Sequence, residues 1–308
     1  YAYLKAPALH TFINTKIIAE SPEKLFWAGI GDALSKEYEV VFACRDKDMT
    51  HTPLLGRVLA EACTKPLVSY GKKALEDCRN NVSSKNIEQI ALDIIITTGL
   101  VSNFTVHQNN PDPKDDYYYN SSLAHCVYYG ASLFPKCEHD HLHGEIVSFG
   151  VLCLLTYDEQ FEERQHIFEF NHSIGLPCTL GEIALTEEDV PAIAHKAASV
   201  VEWTYVPGEP SEEKFIKAIL DTDKAGKEFL QREYKRLSLI TSIKMMLWSL
   251  DQGIIFYAML IRDKFIKKLY SKSVCHSCNE IYYCLCIDQI CFKASIYFYV
   301  FTIQSFRS

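Results

Sequence analysis

Residues His143 to Tyr157 read HGEIVSFGVLCLLTY, a run that is apolar nearly all round the helix it would form. Such a helix has no face to give to water, so other elements must surround it and the chain must fold as a bundle about this segment. With 308 residues, 48% of them hydrophobic and 12% aromatic, the sequence has enough apolar material to do so. A net charge of −8 leaves no basic field for nucleic acid or an anionic membrane, and no run of like charges marks a binding tail. The balance points to a small-molecule ligand in a cytoplasmic protein.

Most of the chain reads as helix. HTFINTKII, His10 to Ile18, alternates loosely and is rich in β-branched residues, which predicts a short strand or extended lead-in over residues 1–18. Ser21-Pro22-Glu23 supplies a cap, a proline for the first turn and an acid, opening a helix that should run to about Glu39. Further helices are predicted over Thr52–Glu61, Pro66–Asn80, Asn86–Thr98, Ser121–Tyr129, His143–Tyr157 and Glu159–Ile174, the last stopped by Gly175-Leu-Pro177. Thr186-Glu-Glu-Asp189 opens another, and Pro210-Ser211 one more through about Leu230. Val106 to Tyr119 is polar and proline-bearing, a projecting loop.

After about Lys235 the capping signals fade. Residues 236–308 form an atypical apolar tail rich in cysteine, with acidic and basic residues interrupting each apolar stretch, so that neither is a clean membrane span. Cys275-His-Ser-Cys278 with Cys284, Cys286 and Cys291 could form a zinc knuckle, but a second CxxC is missing and a poorly specified tail is the simpler reading. The seven other cysteines are scattered irregularly and suit a reducing compartment. The sequence opens on Tyr1 rather than methionine, from which a missing N-terminal part is expected.

Three residues stand out as site candidates. His143 enters the apolar helix at its start, and His125 lies among small and apolar neighbours in SSLAHCVYYG. Asp32 sits in AGIGDAL, where Gly29 and Gly31 permit close helix packing. A carboxylate in such surroundings must be paired or must bind a cation. Two imidazoles and a carboxylate from three helices match a divalent-metal site with an open position.

At these residues the sequence resembles the C-terminal metal-binding domain of the iron- and zinc-containing alcohol (polyol) dehydrogenases, on the glycerol dehydrogenase-like side of that family. The matching words are 15-TKIIAESPEKLFWAGIGDAL-34, 123-LAHCVYYG-130, 142-LHGEIVSFGVLCLL-155 and 173-SIGLPCTLGEI-183, in family order, within a similarity running from about Thr11 to Tyr234. The resemblance implies a mainly α fold, the helical bundle of dehydroquinate synthase-like and iron-containing alcohol dehydrogenases, over residues 19–235. It also implies that Asp32, His125 and His143 bind the catalytic metal and that NAD accepts a hydride from glycerol or another polyol. Homo-oligomeric assembly is open to such a protein. The iron-using branch has a further histidine four residues after the aspartate; here Lys36 stands there, so the resemblance leans to Zn2+ over Fe2+. His139 and His141 are expected to be bystanders in a solvated loop.

The family's nucleotide-binding half, Rossmann-like with a GGG turn, is not matched. Gly29-Ile-Gly31 precedes Asp32 inside a helix instead of following a strand, so it is no dinucleotide fingerprint. The chain by itself is therefore expected not to oxidise glycerol with NAD. Two other readings compete. A metal-dependent phosphohydrolase of the HD type would use His125, the pair His139-Asp140 and a later aspartate such as Asp158, with His139 and Asp140 helical. A helical remnant without enzymatic activity would fold, could still bind metal, and would contribute only to assembly.

Overall fold

The computed structural model describes residues 10–108, 112, 114 and 116–270, without the side chains of 245–247 and 249–270. In chain order the helices are α1 (Thr15–Ala19), α2 (Glu23–Ala33), α3 (Ser35–Ala43), α4 (His51–Ala60), α5 (Thr64–Arg79), α6 (Lys85–Leu92), a π-helical turn (Asp93–Thr97) and α7 (Thr98–Thr105). A hairpin of two-residue strands, β1 (Val106–His107) and β2 (Tyr117–Tyr118), follows, then α8 (Leu123–Ala131), α9 (Pro135–Asp140), α10 (His143–Tyr157) and α11 (Phe161–Ile174). After short 3-10 turns come α12 (Val190–Ala197) and α13 (Glu212–Tyr270). The architecture is mainly α, as the patterning predicts.

Every residue of α10 from Gly144 to Tyr157 is buried. Helices α2, α3, α8 and α11 pack around it, so the segment that can give no face to water lies at the centre. Phe149, Phe168 and Phe215 are among the largest fully buried side chains of the core. A smaller cluster of Val40, Cys44, Ala60, Cys63 and Val101 lies on the α3–α4–α7 side.

Local signals act where the sequence carries them. Ser84 caps α6, its hydroxyl accepting from the amides of Asn86 and Ile87 at 3.1 and 3.2 Å. Gly175 ends α11 in the left-handed region, φ 77°. The Asp189 carboxylate accepts from the Thr186 amide at 2.8 Å, though the chain first makes a 3-10 turn there before α12.

Other expectations are corrected. No strand forms among residues 10–18: Asn14 Oδ1 accepts from the Lys16 amide at 3.0 Å and starts α1, the cap overriding the β-branched pattern. The single helix expected to Glu39 is two, parted at Leu34 where the Ser35 hydroxyl donates to the Asp32 carbonyl at 2.8 Å. The helix from Asn86 runs on through the π-turn to Thr105, and this stretch, mean hydropathy 1.2, is long and apolar enough by composition to cross a membrane. It packs here on α4, whose Gly56 meets Phe104 and Thr105. The loop Val106 to Tyr119 closes as an antiparallel hairpin, Val106 opposite Tyr118.

The chain divides into two units, Tyr1–Lys235 and Arg236–Ser308. Within the second, the described backbone is helical to Tyr270, with Leu237, Leu239 and Trp248 exposed. The lead-in 1–9 and the knuckle candidate Cys275 to Cys291 lie outside the described residues.

Candidate metal centre

Glycines set the distances between three helices. A Cβ on Gly144 would fall 1.9 Å from the Ala28 carbonyl oxygen, and one on Gly31 would fall 2.5 Å from that of Gly144, so α2 and α10 cross backbone to backbone. A Cβ on Gly150 would fall 2.3 Å from the Ala124 carbonyl, so α8 and α10 do the same. Each contact has a candidate residue beside it in sequence: Asp32 follows Gly31, His143 precedes Gly144 and His125 follows Ala124. Gly29 meets only Ile94 Cδ1 at 3.7 Å, so of the two glycines before Asp32 it is Gly31 that the crossing needs.

The crossing brings the three side chains together. Asp32 Oδ1 lies 3.1 Å from His143 Nε2 and 3.7 Å from His125 Nε2, and one ligand atom from each residue falls within 4.8 Å of the other two. Oδ1 is buried and has no hydrogen-bond partner, although the Asp32 side chain as a whole is 46% exposed. A tetrahedral ion with bonds of about 2.0 to 2.1 Å holds its ligand atoms roughly 3.3 Å apart, and the two Asp32 distances bracket that spacing. Two imidazole nitrogens and one carboxylate oxygen are donors that suit zinc or ferrous iron. The residues present therefore fit a divalent ion. His125 is walled in at 15% side-chain exposure while His143 is 40% exposed, so the cluster opens on the His143 side. The His143 ring packs edge-on to Tyr128, centroids 4.2 Å apart.

A second layer, which the sequence reading missed, stands behind His125. Glu39 on α3 is fully buried; its Oε1 accepts from the amides of Ser122 and His125 at 2.8 and 2.9 Å, and its Oε2 lies 2.6 Å from His125 Nδ1. Burial works to raise the Glu39 carboxyl, but the adjacent imidazole and the two amides prevail and hold it below the usual carboxylate range. His125 is held above its ordinary value for the converse reason: burial works to lower it, and the Glu39 charge and hydrogen bond outweigh burial. Asp32 is likewise depressed, its burial outweighed by the imidazoles of His143 and His125 and the Lys36 ammonium.

Lys36, also buried, is pulled below its usual value by burial, against the charges of Glu39 and Asp32. Its Nζ donates to Asn120 Oδ1 at 2.7 Å and to the Asn120 carbonyl at 3.2 Å. Among sequence signals only the buried-face spacing Asp32, Lys36, Glu39 could have found this layer, and the break at Leu34 hides it.

The remaining histidines sit elsewhere. His139 is exposed on α9, a helix not expected from the sequence, opened by Pro135 in its first turn. His141 Nδ1 lies 2.8 Å from Glu145 Oε1. His139 and Asp140 are helical, as the phosphohydrolase reading requires, but its residues are not gathered: Asp158 is bound by Arg45 at the C-terminal end of α10. That helix has 15 residues, so its two ends stand about 22 Å apart. Among the described residues Asp32, His125 and His143 form the one cluster of three or more His, Cys, Asp or Glu that could hold a metal.

Fold and cluster define a class: an α-helical bundle with a carboxylate and two imidazoles converging where three helices cross. The chain matches no protein-family model. It is 29% identical over 231 residues to a glycerol dehydrogenase of Escherichia coli O6:H1, covering 71% of this chain and 58% of that protein. It is 30% identical over 237 residues to one of Pseudomonas putida, covering 73% and 60%. The crystal structure of a probable glycerol dehydrogenase from Sinorhizobium meliloti 1021 superposes with a TM-score of 0.60 at 23% identity, covering 70% of this chain and 58% of that one, a likeness of fold. The chain is a homologue of the glycerol dehydrogenases, the family its sequence words resemble. It spans about three fifths of the length of the curated relatives it matches.

Proposed function

We propose that this chain is the metal-binding half of an NAD-dependent glycerol or polyol dehydrogenase, with Asp32, His125 and His143 as the metal ligands. One observation carries the reading: Asp32 Oδ1, a buried oxygen without a hydrogen-bond partner, faces two imidazole Nε2 atoms at 3.1 and 3.7 Å. A divalent ion held there supplies Lewis-acid chemistry, making a substrate hydroxyl easier to deprotonate before its carbon gives a hydride to NAD. Asp32 supplies the one negative charge of the set. His125 anchors the cluster from within the bundle, and His143, packed against the Tyr128 ring, borders the open side from which a polyol would approach.

Zinc is the metal we assign in preference to iron. Lys36, four residues after Asp32, offers an ammonium already engaged with Asn120 and adds no further ligand. NAD binding is assigned to a separate nucleotide-binding half, because the paired glycines of this chain lie inside α2, where Gly31 serves the crossing with α10 and Gly29 faces Ile94. A cytoplasmic setting is supported by Cys44, Cys63, Cys78, Cys126, Cys137, Cys153 and Cys178, all free and buried among the described residues.

Elemental analysis of the purified chain tests the reading. About one zinc per chain is expected, lost in both Asp32→Ala and His143→Ala. In the cobalt-substituted chain, glycerol should shift the visible spectrum. A metal content unchanged in both variants would overturn the assignment.

A further inference from the structure

A neutral imidazole binds a metal through one nitrogen only if its proton sits on the other. At His125 one buried carboxylate, Glu39, lies 2.6 Å from Nδ1. We propose that Glu39 is the positioning residue of the centre, fixing His125 as the Nδ1–H tautomer so that the Nε2 lone pair is turned towards Asp32. This rests on the reading of Asp32, His125 and His143 as metal ligands.

The geometry leaves Glu39 little freedom. Oε1 already accepts two backbone amides, Ser122 and His125, and Oε2 meets Nδ1 at 2.6 Å. An ionised carboxylate can only accept hydrogen bonds, so the proton of that contact belongs to Nδ1. The two amides lie at the N-terminus of α8, where Ser122 makes no side-chain cap of its own and its hydroxyl is buried without a partner. Glu39 is thus the cap of α8, delivered from another helix. One side chain therefore ties the backbone that carries His125 and the ring itself to the same carboxylate, setting both the place and the rotation of the ligand.

Lys36, one turn earlier on α3, holds the approach to α8 from the same side through both oxygens of Asn120. Glu39 is not one of the three clustered residues, and the Lys36 ammonium has no lone pair to offer a metal. Their work is done from behind.

Zinc and cobalt affinities of the wild type, Glu39→Gln, Lys36→Met and Asp32→Ala, by competition with a chelator, test the inference beside circular dichroism of each metal-free chain. Glu39→Gln cannot accept from Nδ1 and from both amides at once. It should keep its helical spectrum while its metal affinity falls about 10- to 100-fold, with a shifted cobalt spectrum. Lys36→Met should change affinity less than Glu39→Gln. Asp32→Ala should abolish tight binding. Wild-type affinity in a folded Glu39→Gln overturns the inference and leaves the metal centre standing. A wild type that binds neither metal overturns the metal centre itself. Should Glu39→Gln not fold, nitrogen NMR of the zinc-loaded wild type still decides. A solvent-protected His125 Nδ1–H is expected, and a proton on Nε2 or rapid exchange at Nδ1 overturns the inference.

Discussion

Helix α2 faces two different neighbourhoods. Through Gly31 it lies backbone to backbone on α10, beside Asp32, and there the deeply buried carboxylate of Glu39 is satisfied by two amides and an imidazole. Through Gly29 it meets Ile94 of the π-helical turn, where Asp93, also buried, is treated in the opposite way. Neither Asp93 oxygen finds a donor in hydrogen-bond geometry, and the hydroxyls of Thr64 and Thr98 are buried without partners as well. Burial pushes the Asp93 carboxyl up to about 7, the Thr97 hydroxyl opposing and the Glu37 charge adding, whereas Glu39 is held low. Burial alone does not set the charge of a carboxylate. Donors pointed at it do, and the bundle spends its donors where three helices must meet in one geometry.

The α2–α10 crossing leaves the least room at Gly144. An alanine there would place its Cβ 1.9 Å from the Ala28 carbonyl, backbone on both sides, with no flexible side chain to give way. We expect Gly144→Ala to cost about 3 kcal/mol or more, the upper end for overpacking, and to displace His143 from Asp32. Urea denaturation and metal content measure the two effects. A variant of normal stability that still binds metal would show that the helices need not touch.

A smaller effect is expected at Asp93, and its sign follows from the raised value. The folded state holds the Asp93 proton more tightly than the unfolded chain, so this group's contribution to stability is present below about pH 4 and is lost as the pH rises through about 7. Asp93→Asn removes that dependence. Between pH 5 and pH 8 the wild type should lose on the order of 2 kcal/mol more than the variant, read from urea midpoints at each pH. Parallel profiles would mean that Asp93 is ionised throughout and that the two carboxylates do not differ.

Much of this arrangement was legible in the residues. The all-round apolarity of 143–157 demanded a central helix, and the cap at Thr186 and the stop at Gly175 are local chemistry that needs no tertiary knowledge. Asp32, His125 and His143 could be grouped only through the family words, because nothing local says that residues 93 and 111 positions apart will meet. Glu39 escaped notice because its partners, Ser122 and His125, lie more than 80 residues away and because the break at Leu34 has no proline or glycine to announce it. The π-turn likewise has no simple signature: one extra residue in a helix shifts its phase, which periodicity over a short window does not resolve. Pro135 is a local start signal for α9, but the helix is only six residues long and too short for an apolar period to show.

Gly29→Ala should have the smallest effect and the opposite sign. Gly29 and Gly31 sit two residues apart in the same helix, and a sequence pattern treats them alike. At Gly29 an added methyl meets only Ile94 Cδ1 at 3.7 Å, ordinary contact with the end of a flexible side chain. Alanine is favoured over glycine in a helix interior by about 0.5 to 1 kcal/mol, so Gly29→Ala should gain a few tenths to 1 kcal/mol and leave metal binding unchanged. Gly31→Ala, with its Cβ 2.5 Å from the Gly144 carbonyl, should lose both stability and metal. If the two substitutions behaved alike, the division of α2 into a crossing face and a tolerant face would fail, and close approach to α10 could no longer explain how Asp32 reaches His143.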